Sequence, residues 1–207
     1  MTWKITFYST KVEQDTLNFP SGILANFLRI AEMMKDTGPS LGKPYTAPMG
    51  KGLFEIRARG KEGIGRSLYC TIKGEEIIIL HSFVKKNSEN AKKSVRHCKK
   101  KNERGNIMSR PTFEAFKTKA LANSEVRKEY EALSVIYDLR KKLIELRKES
   151  GLTQEELAQL LKTKKSNISR LENVESHASP KLSTIAEYAK AMGHKVEINF
   201  VPIEFSS

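Results

Sequence analysis

Cysteine and long apolar runs are both scarce in this sequence, and each scarcity removes a class of answer. Two cysteines in 207 residues, Cys70 and Cys98, are too few for a disulfide framework. Neither sits in a CxxC or Cys/His spacing that would hold zinc. The longest apolar run is Ile77 to Leu80, far short of the ~20 residues that cross a bilayer. The N-terminus, Met1 to Lys11, alternates polar and apolar residues, unlike a secretory signal. A cytoplasmic protein is expected, with no metal site, no cofactor and no membrane partner. What the sequence has in quantity is positive charge: 37 Lys+Arg against 24 Asp+Glu, a net +13 at pH 7. With 39% hydrophobic residues, the composition is that of a globular chain, long enough for one large domain or two small ones.

The charge is unevenly spread. Residues 1–107 hold 20 Lys/Arg and 10 Asp/Glu, net +10, whereas residues 108–207 hold 17 and 14, net +3. Between Lys85 and Arg104, nine basic residues face only Glu89 and Glu103, a cluster that attracts phosphate.

The first half reads as a small α+β domain. Lys4 to Tyr8 alternates like a short strand, and a weak helix from Lys11 to Asn18 stops before Pro20. A stronger helix follows, with Ser21 as N-cap and Ile23, Leu24, Phe27, Leu28, Ala31 and Met34 on one face. A Gly/Pro-rich loop, Gly38 to Gly52, leads into three strand-like runs, Leu53 to Ala58, Arg66 to Ile72 and Glu76 to Phe83. Gly60 to Gly63 and Lys73 to Glu75 form the hairpin loops. A basic helix from Glu89 to Lys101 closes the domain.

The runs Gly52 to Arg57, Gly63 to Tyr69 and Ile78 to Lys86, in this order and spacing, resemble the phage-derived branch of the RelE/HigB toxins over almost all of residues 1–105. The resemblance implies a microbial-type ribonuclease fold that cleaves messenger RNA on the ribosome without a metal. Such cleavage turns the ribose 2′-hydroxyl on its own phosphate, so it needs a base, cations around the phosphorane and a proton donor for the leaving oxygen. Arg57 and Arg59 alternate on one strand and therefore share a face; Arg66 opens the next strand, and His81, Lys85 and Lys86 end the last. By the resemblance, Arg57, Arg66 and Lys86 hold the phosphate and His81 is the acid or base, with Arg59, Lys85, Lys92 and Lys93 adding affinity for RNA. The chain departs from these toxins at Asn90-Ala91, where they carry Thr-Pro, and has no tyrosine nearby.

The second half changes to helix formers. Helices are expected at Thr112 to Ala122, after the Asn123-Ser124 cap, and onward to a stop at Ser150-Gly151. Thr153-x-x-Glu156 is a capping box with Leu157 and Leu161 inward. After a turn at Lys162-Thr163, a short helix from Lys165 to Leu171 keeps Ile168 and Leu171 inward. This spacing is a helix-turn-helix, residues 152–172. From about Ser109 to Pro202 the chain closely resembles the Cro/repressor-like domain of HigA-type antitoxins. Position implies that Gln154 touches phosphate, that Lys164, Lys165, Ser166 and Arg170 reach operator DNA, and that Asn167 lies nearer the backbone. Lys162 replaces the usual turn glycine, and Lys164 the usual cap. Ser179-Pro180 starts another helix with Leu182, Ile185, Ala186, Ala189 and Met192 inward. Lys195 to Val201 then alternates as a lone strand, whose simplest partner is the same strand of a second copy, so a homodimer is expected.

The domains are therefore expected at 1–105 and 112–207, with 106–111 a former intergenic segment between toxin-like and antitoxin-like modules. Helices of about Thr112 to Leu133, carrying Glu114, Glu125, Glu129 and Glu131, are expected to cover the basic face. Two functions follow: a latent ribonuclease with built-in inhibitor and autorepressor, its mRNA and ribosome partners met only on release, or a DNA-binding regulator whose toxin half is catalytically dead.

Overall fold

Alternation of apolar and polar residues builds a five-stranded sheet near the N-terminus. The computed structural model describes residues 2–72, 75–84, 110–173 and 180–200. The strands are β1 (Lys4–Phe7), β2 (Thr46–Gly50), β3 (Leu53–Gly60), β4 (Gly63–Ile72) and β5 (Glu76–Val84). Their spatial order is β1-β5-β4-β3-β2. β1 pairs parallel with β5, and the other neighbours are antiparallel. β2 falls inside the segment expected to be loop.

One face of the sheet carries α1 (Thr10–Leu17) and α2 (Ser21–Thr37). Ser9 caps α1 by accepting from the Val12 amide. Ser21, expected to cap α2, is instead its first helical residue. Glu62 of the β3–β4 turn does the capping, accepting from the Gly22 amide at 3.1 Å and from Ser21 Oγ at 3.4 Å, a carboxylate well placed at a helix N-terminus. Two glycines permit this approach. A Cβ on Gly60 would lie 2.5 Å from the Ile23 amide nitrogen, and one on Gly65 2.5 Å from Ile23 Cγ2. The expected inward stripe Ile23, Leu24, Phe27, Leu28, Ala31 and Met34 is buried throughout. Polar atoms on this side are matched as well: Thr16 Oγ1 meets Ser82 Oγ at 2.7 Å, and Ser82 Oγ meets Ser67 Oγ at 2.8 Å. The other face holds a second apolar cluster of Leu53, Leu68, Cys70, Ile78 and Leu80.

The chain divides into two compact units, Met1–Lys141 and Lys142–Ser207. The helices α3 (Phe113–Leu121) and α4 (Ser124–Ala132) pack inside the first, although the sequence assigns them to the second module. Thr112 caps α3 and Asn123 caps α4. Just before α3 the backbone runs along β1: the Phe7 amide donates to the Pro111 carbonyl at 2.9 Å, and Thr6 bridges Thr112 in antiparallel sense. α5 (Ser134–Glu149) contributes residues to each unit.

In the second unit, α6 (Gln154–Leu160) and α7 (Lys165–Leu171) are followed by α8 (Leu182–Ala191). Leu143, Ile144, Leu157, Ile168, Leu171, Tyr188 and Ala189 form its buried interior. Leu182 and Ala186, expected inward, are exposed, with Leu182 at 54%. The Tyr188 hydroxyl donates into the interior and turns the Ile185, Tyr188, Ala189 and Met192 stripe inward, so Ala186 faces out and Leu182 stands at the helix end. Residues 194–200 take no regular secondary structure. Among the described residues the expected strand is not formed; a strand needs a neighbour to accept its ladder bonds. The last expected strand residue, Val201, lies outside the described residues.

Candidate nucleic-acid interfaces

The register of β3 against β4 places Arg57 directly opposite Arg66. On β5, Phe83 lies opposite Arg66 and His81 opposite Leu68. Alternation then puts Arg57, Arg66, Phe83 and His81 on the face turned away from α1 and α2. His81 stacks on Phe83, with ring centroids 5.4 Å apart. Arg59, two residues beyond Arg57, is exposed. Lys85, Lys86, Lys92 and Lys93, together with the expected basic helix Glu89 to Lys101, lie outside the described residues.

Between the two arginines sits a residue that sequence reasoning passed over. Glu55 is 1% exposed. Its Oε1 accepts from Arg57 Nε at 2.6 Å and pairs with Arg57 Nη2, and its Oε2 accepts from Arg66 Nη1 at 2.7 Å. The available signal was its spacing: Glu55 precedes Arg57 by two and so shares its face. The three side chains carry a net +1, since one carboxylate offsets one of the two guanidiniums.

The acidic residues of α3 and α4 go elsewhere. Glu114 accepts from Lys35 of α2 at 2.6 Å and Glu129 from Lys61 of the β3–β4 turn at 2.8 Å. The hydrogen bond from Lys35 holds the Glu114 carboxyl below its ordinary range. In the reverse sense, Lys119 donates to the buried Glu13 of α1 at 2.6 Å, and Lys117 pairs with Glu32 of α2. The Tyr130 hydroxyl donates to Glu32, while Arg29 donates to the Tyr130 carbonyl at 2.9 Å and lies over its ring. At the centre Phe116, fully buried, meets Phe7 at 4.6 Å and Phe27 at 5.8 Å between ring centroids. These helices therefore grip α1, α2 and β1, and the expectation that they lie over Arg57 and Arg66 is corrected. Phe116 seats against Phe7 and Phe27 on this side, where Glu13 and Glu32 also meet lysines of α3, while Arg57 and Arg66 already share Glu55.

In the second unit the capping box forms as its spacing requires. Thr153 Oγ1 accepts from the Glu156 amide at 3.2 Å, and Glu156 Oε2 accepts from the Thr153 amide at 2.7 Å. Lys162 adopts φ 50° at the turn, the left-handed conformation for which glycine is usual. Lys164 occupies the N-cap of α7 without a side-chain bond. Asn167 Nδ2 instead donates back to Thr163 Oγ1 at 2.9 Å, tying the turn to the helix. Lys164, Lys165, Ser166, Asn167 and Arg170 are all exposed, while Ile168 and Leu171 point inward. Lys165 pairs with Glu155 at 3.0 Å.

Gln154 is half-buried, and its Nε2 donates to Glu172 Oε2 at 2.8 Å. Glu172 is itself a hub, 1% exposed, accepting from Arg147 Nε at 2.7 Å, Arg147 Nη2 at 3.0 Å and the Tyr188 hydroxyl at 2.6 Å. Burial, and then the carboxylate beside it, push the Tyr188 hydroxyl well above its ordinary range. This network fixes α6 and α7 relative to α5 and α8, so the outward residues of α7 stand on a rigid base.

Among the described residues there is no group of His, Cys, Asp and Glu that could hold a metal ion, and no helix long and apolar enough to cross a membrane. Together these surfaces define a class: an α+β domain with a cationic sheet face, joined to a helix-turn-helix DNA-binding domain. Residues 14–103 match the family described as phage-derived protein Gp49-like (DUF891). Residues 143–197 match the family described as helix-turn-helix. The chain thus unites a Gp49-like, toxin-type domain with a Cro/repressor-type domain, the make-up of a toxin–antitoxin-like regulator. No curated protein matches it.

Proposed function

We propose that the chain is a single-chain toxin–antitoxin protein: a metal-free, ribosome-dependent ribonuclease of messenger RNA held silent by its own antitoxin module, which also represses its operator as a homodimer. The observation that carries this reading is Arg57 facing Arg66 in register, beside His81, on the sheet face opposite the one gripped through Phe116. In the cleavage step the ribose 2′-hydroxyl attacks the adjacent phosphorus, the 5′-oxygen leaves, and a 2′,3′-cyclic phosphate forms. Arg57, Arg66 and Lys86 neutralise the charge that builds on the phosphorane, and His81 carries the proton. Arg59, Lys85, Lys92 and Lys93 hold the flanking RNA.

Inhibition works through tethering. A covalent link keeps α3 and α4 at an effective concentration in the ~mM range from α1 and α2. On this reading the restraint denies the toxin module its helical face, which it needs for docking on the ribosome, rather than plugging the arginine face. Lys164, Lys165, Ser166 and Arg170 read operator bases, with Gln154 and Asn167 on phosphates, and the module at 112–207 dimerises through 195–201.

The test is expression of residues 1–109 beside the intact chain. The short form is expected to arrest growth and cut messenger RNA, and the intact chain to do neither. The intact chain should shift its own promoter fragment, with Arg170→Ala weakening that shift by ~1–3 kcal/mol. The second reading, a DNA-binding regulator with a dead toxin half, draws support from the pairing of both arginines with Glu55. It prevails if residues 1–109 are folded and harmless while the promoter shift persists.

A further inference from the structure

Glu55 is an expensive residue to bury. Its sheet-face neighbours Leu53 and Leu68 are apolar and 1% exposed, and a carboxylate taken from water into such surroundings is strongly disfavoured unless cations and hydrogen bonds offset the loss of hydration. Two arginines do so, one from each side: Arg57 with two nitrogens on Oε1, and Arg66 with Nη1 on Oε2. The guanidiniums themselves reach outward, with side chains 30% and 19% exposed. Arg66 keeps one buried donor, Nε, that has no hydrogen-bond partner among the described residues. Both oxygens of Glu55 are thus spent on orientation, while N–H groups of the arginines remain unspent.

We propose that Glu55 is a positioning residue: it locks Arg57 and Arg66 into one rigid fork whose remaining N–H groups bind a single phosphodiester. The proposal rests on the reading of this face as a phosphate site. The charge fits, since the trio nets +1 and a phosphodiester carries −1. A rigid fork also loses less rotamer freedom on binding than two loose arginines would. A patch built only for general affinity to RNA would gain by omitting the carboxylate, because the local charge would then be +2 and attraction to the polyanion stronger.

The test uses the full chain labelled with 15N, and a 2′-deoxy dinucleotide, which supplies one phosphodiester and cannot be cleaved. In the wild type, the Nε–H resonances of Arg57 and Arg66 are expected to be sharp and to titrate together with a single dissociation constant. Glu55→Gln frees one guanidinium, so its resonance should broaden and dinucleotide affinity should fall by roughly tenfold. Binding of a long RNA should meanwhile become steeper in salt by about one charge. A folded Glu55→Gln protein that keeps both resonances and binds within about twofold of wild type overturns the proposal. Should that variant not fold, Arg57→Gln serves: Arg66 must then lose the dinucleotide by roughly tenfold, and an unchanged Arg66 titration overturns the fork. The ribonuclease reading fails separately. Paired titration without RNA cleavage by a folded 1–109 fragment sinks that reading alone, and cleavage with neither arginine titrating sinks this one.

Discussion

Lys148 stands in the last turn of α5 with its ammonium pushed down to about 8, first by burial and then by the neighbouring Arg147 guanidinium, with Glu172 offsetting part of the effect. In the unfolded chain the same group holds its proton up to about 10.5. Between these values the unfolded state binds more protons than the folded one, so this group makes stability rise with pH across that window, and its full cost is present at pH 7. Lys148→Met is expected to stabilise the protein at pH 7 by on the order of 1 kcal/mol, after discounting for the part of the side chain that meets solvent. The gain should vanish near pH 10.5. Urea unfolding of both proteins at pH 7 and pH 10 measures it, and an equal difference at the two values would refute the assignment. The same scale contrasts two carboxylate hubs. Glu172 binds Arg147 and Tyr188, both drawn inward to hold helices, and takes one amide donor of the half-buried Gln154, whereas Glu55 binds arginines whose ends remain in reach of solvent.

At the scale of elements, α3 is joined to α1, α2 and β1 by one aromatic key and a ring of partly exposed ion pairs. The ion pairs contribute little each and weaken in salt, so the key decides. Phe116→Ala is expected to cost ~3–5 kcal/mol, seen as a lowered urea midpoint, with amide exchange accelerated throughout 113–132. Unchanged exchange in those helices would show that the ion pairs carry the contact. Elements governed by neighbours in sequence were legible without a structure: the Thr153–Glu156 box and the helix from Lys165 to Leu171 follow from residues within one turn. β2 was not legible, because Pro48 and Gly50 disguise a strand that exists through its pairing with β3. Glu55 was hidden for a related reason. Its importance lies in Arg66, eleven residues away in sequence and beside it only across the ladder. The docking of α3 and α4 depends on Phe7 and Phe27, some hundred residues earlier, and charge counting alone pointed it to the wrong face.

At the scale of the whole molecule, Val196, Ile198 and Phe200 alternate and are 37%, 56% and 95% exposed, an apolar edge with no ladder of its own in one chain. Pairing of two such segments about a two-fold axis would cover it and set two recognition helices on successive half-sites. Light scattering should therefore find twice the chain mass for the wild type and a monomer for Ile198→Asp, whose promoter shift should fall with it. A wild type that stays monomeric at all concentrations removes the dimer. The +13 of the chain is uneven: residues 1–107 hold +10, Arg57 and Arg66 among them, and the remaining +3 includes the exposed face of α7.

The backbone contact of Pro111 and Thr112 with β1, and the seating of Phe116 against Phe7 and Phe27, set an order of events during synthesis. Chains emerge N-terminus first and their domains generally fold as units, and β1 already has β5 as its ladder partner before residues 111–116 add a backbone bond on its other edge and Phe116 joins Phe7 and Phe27. The helices at 113–132 thus find their seat on β1, α1 and α2 already made when they emerge, so in a nascent chain the toxin-like half stands without them only for the time taken to add those residues.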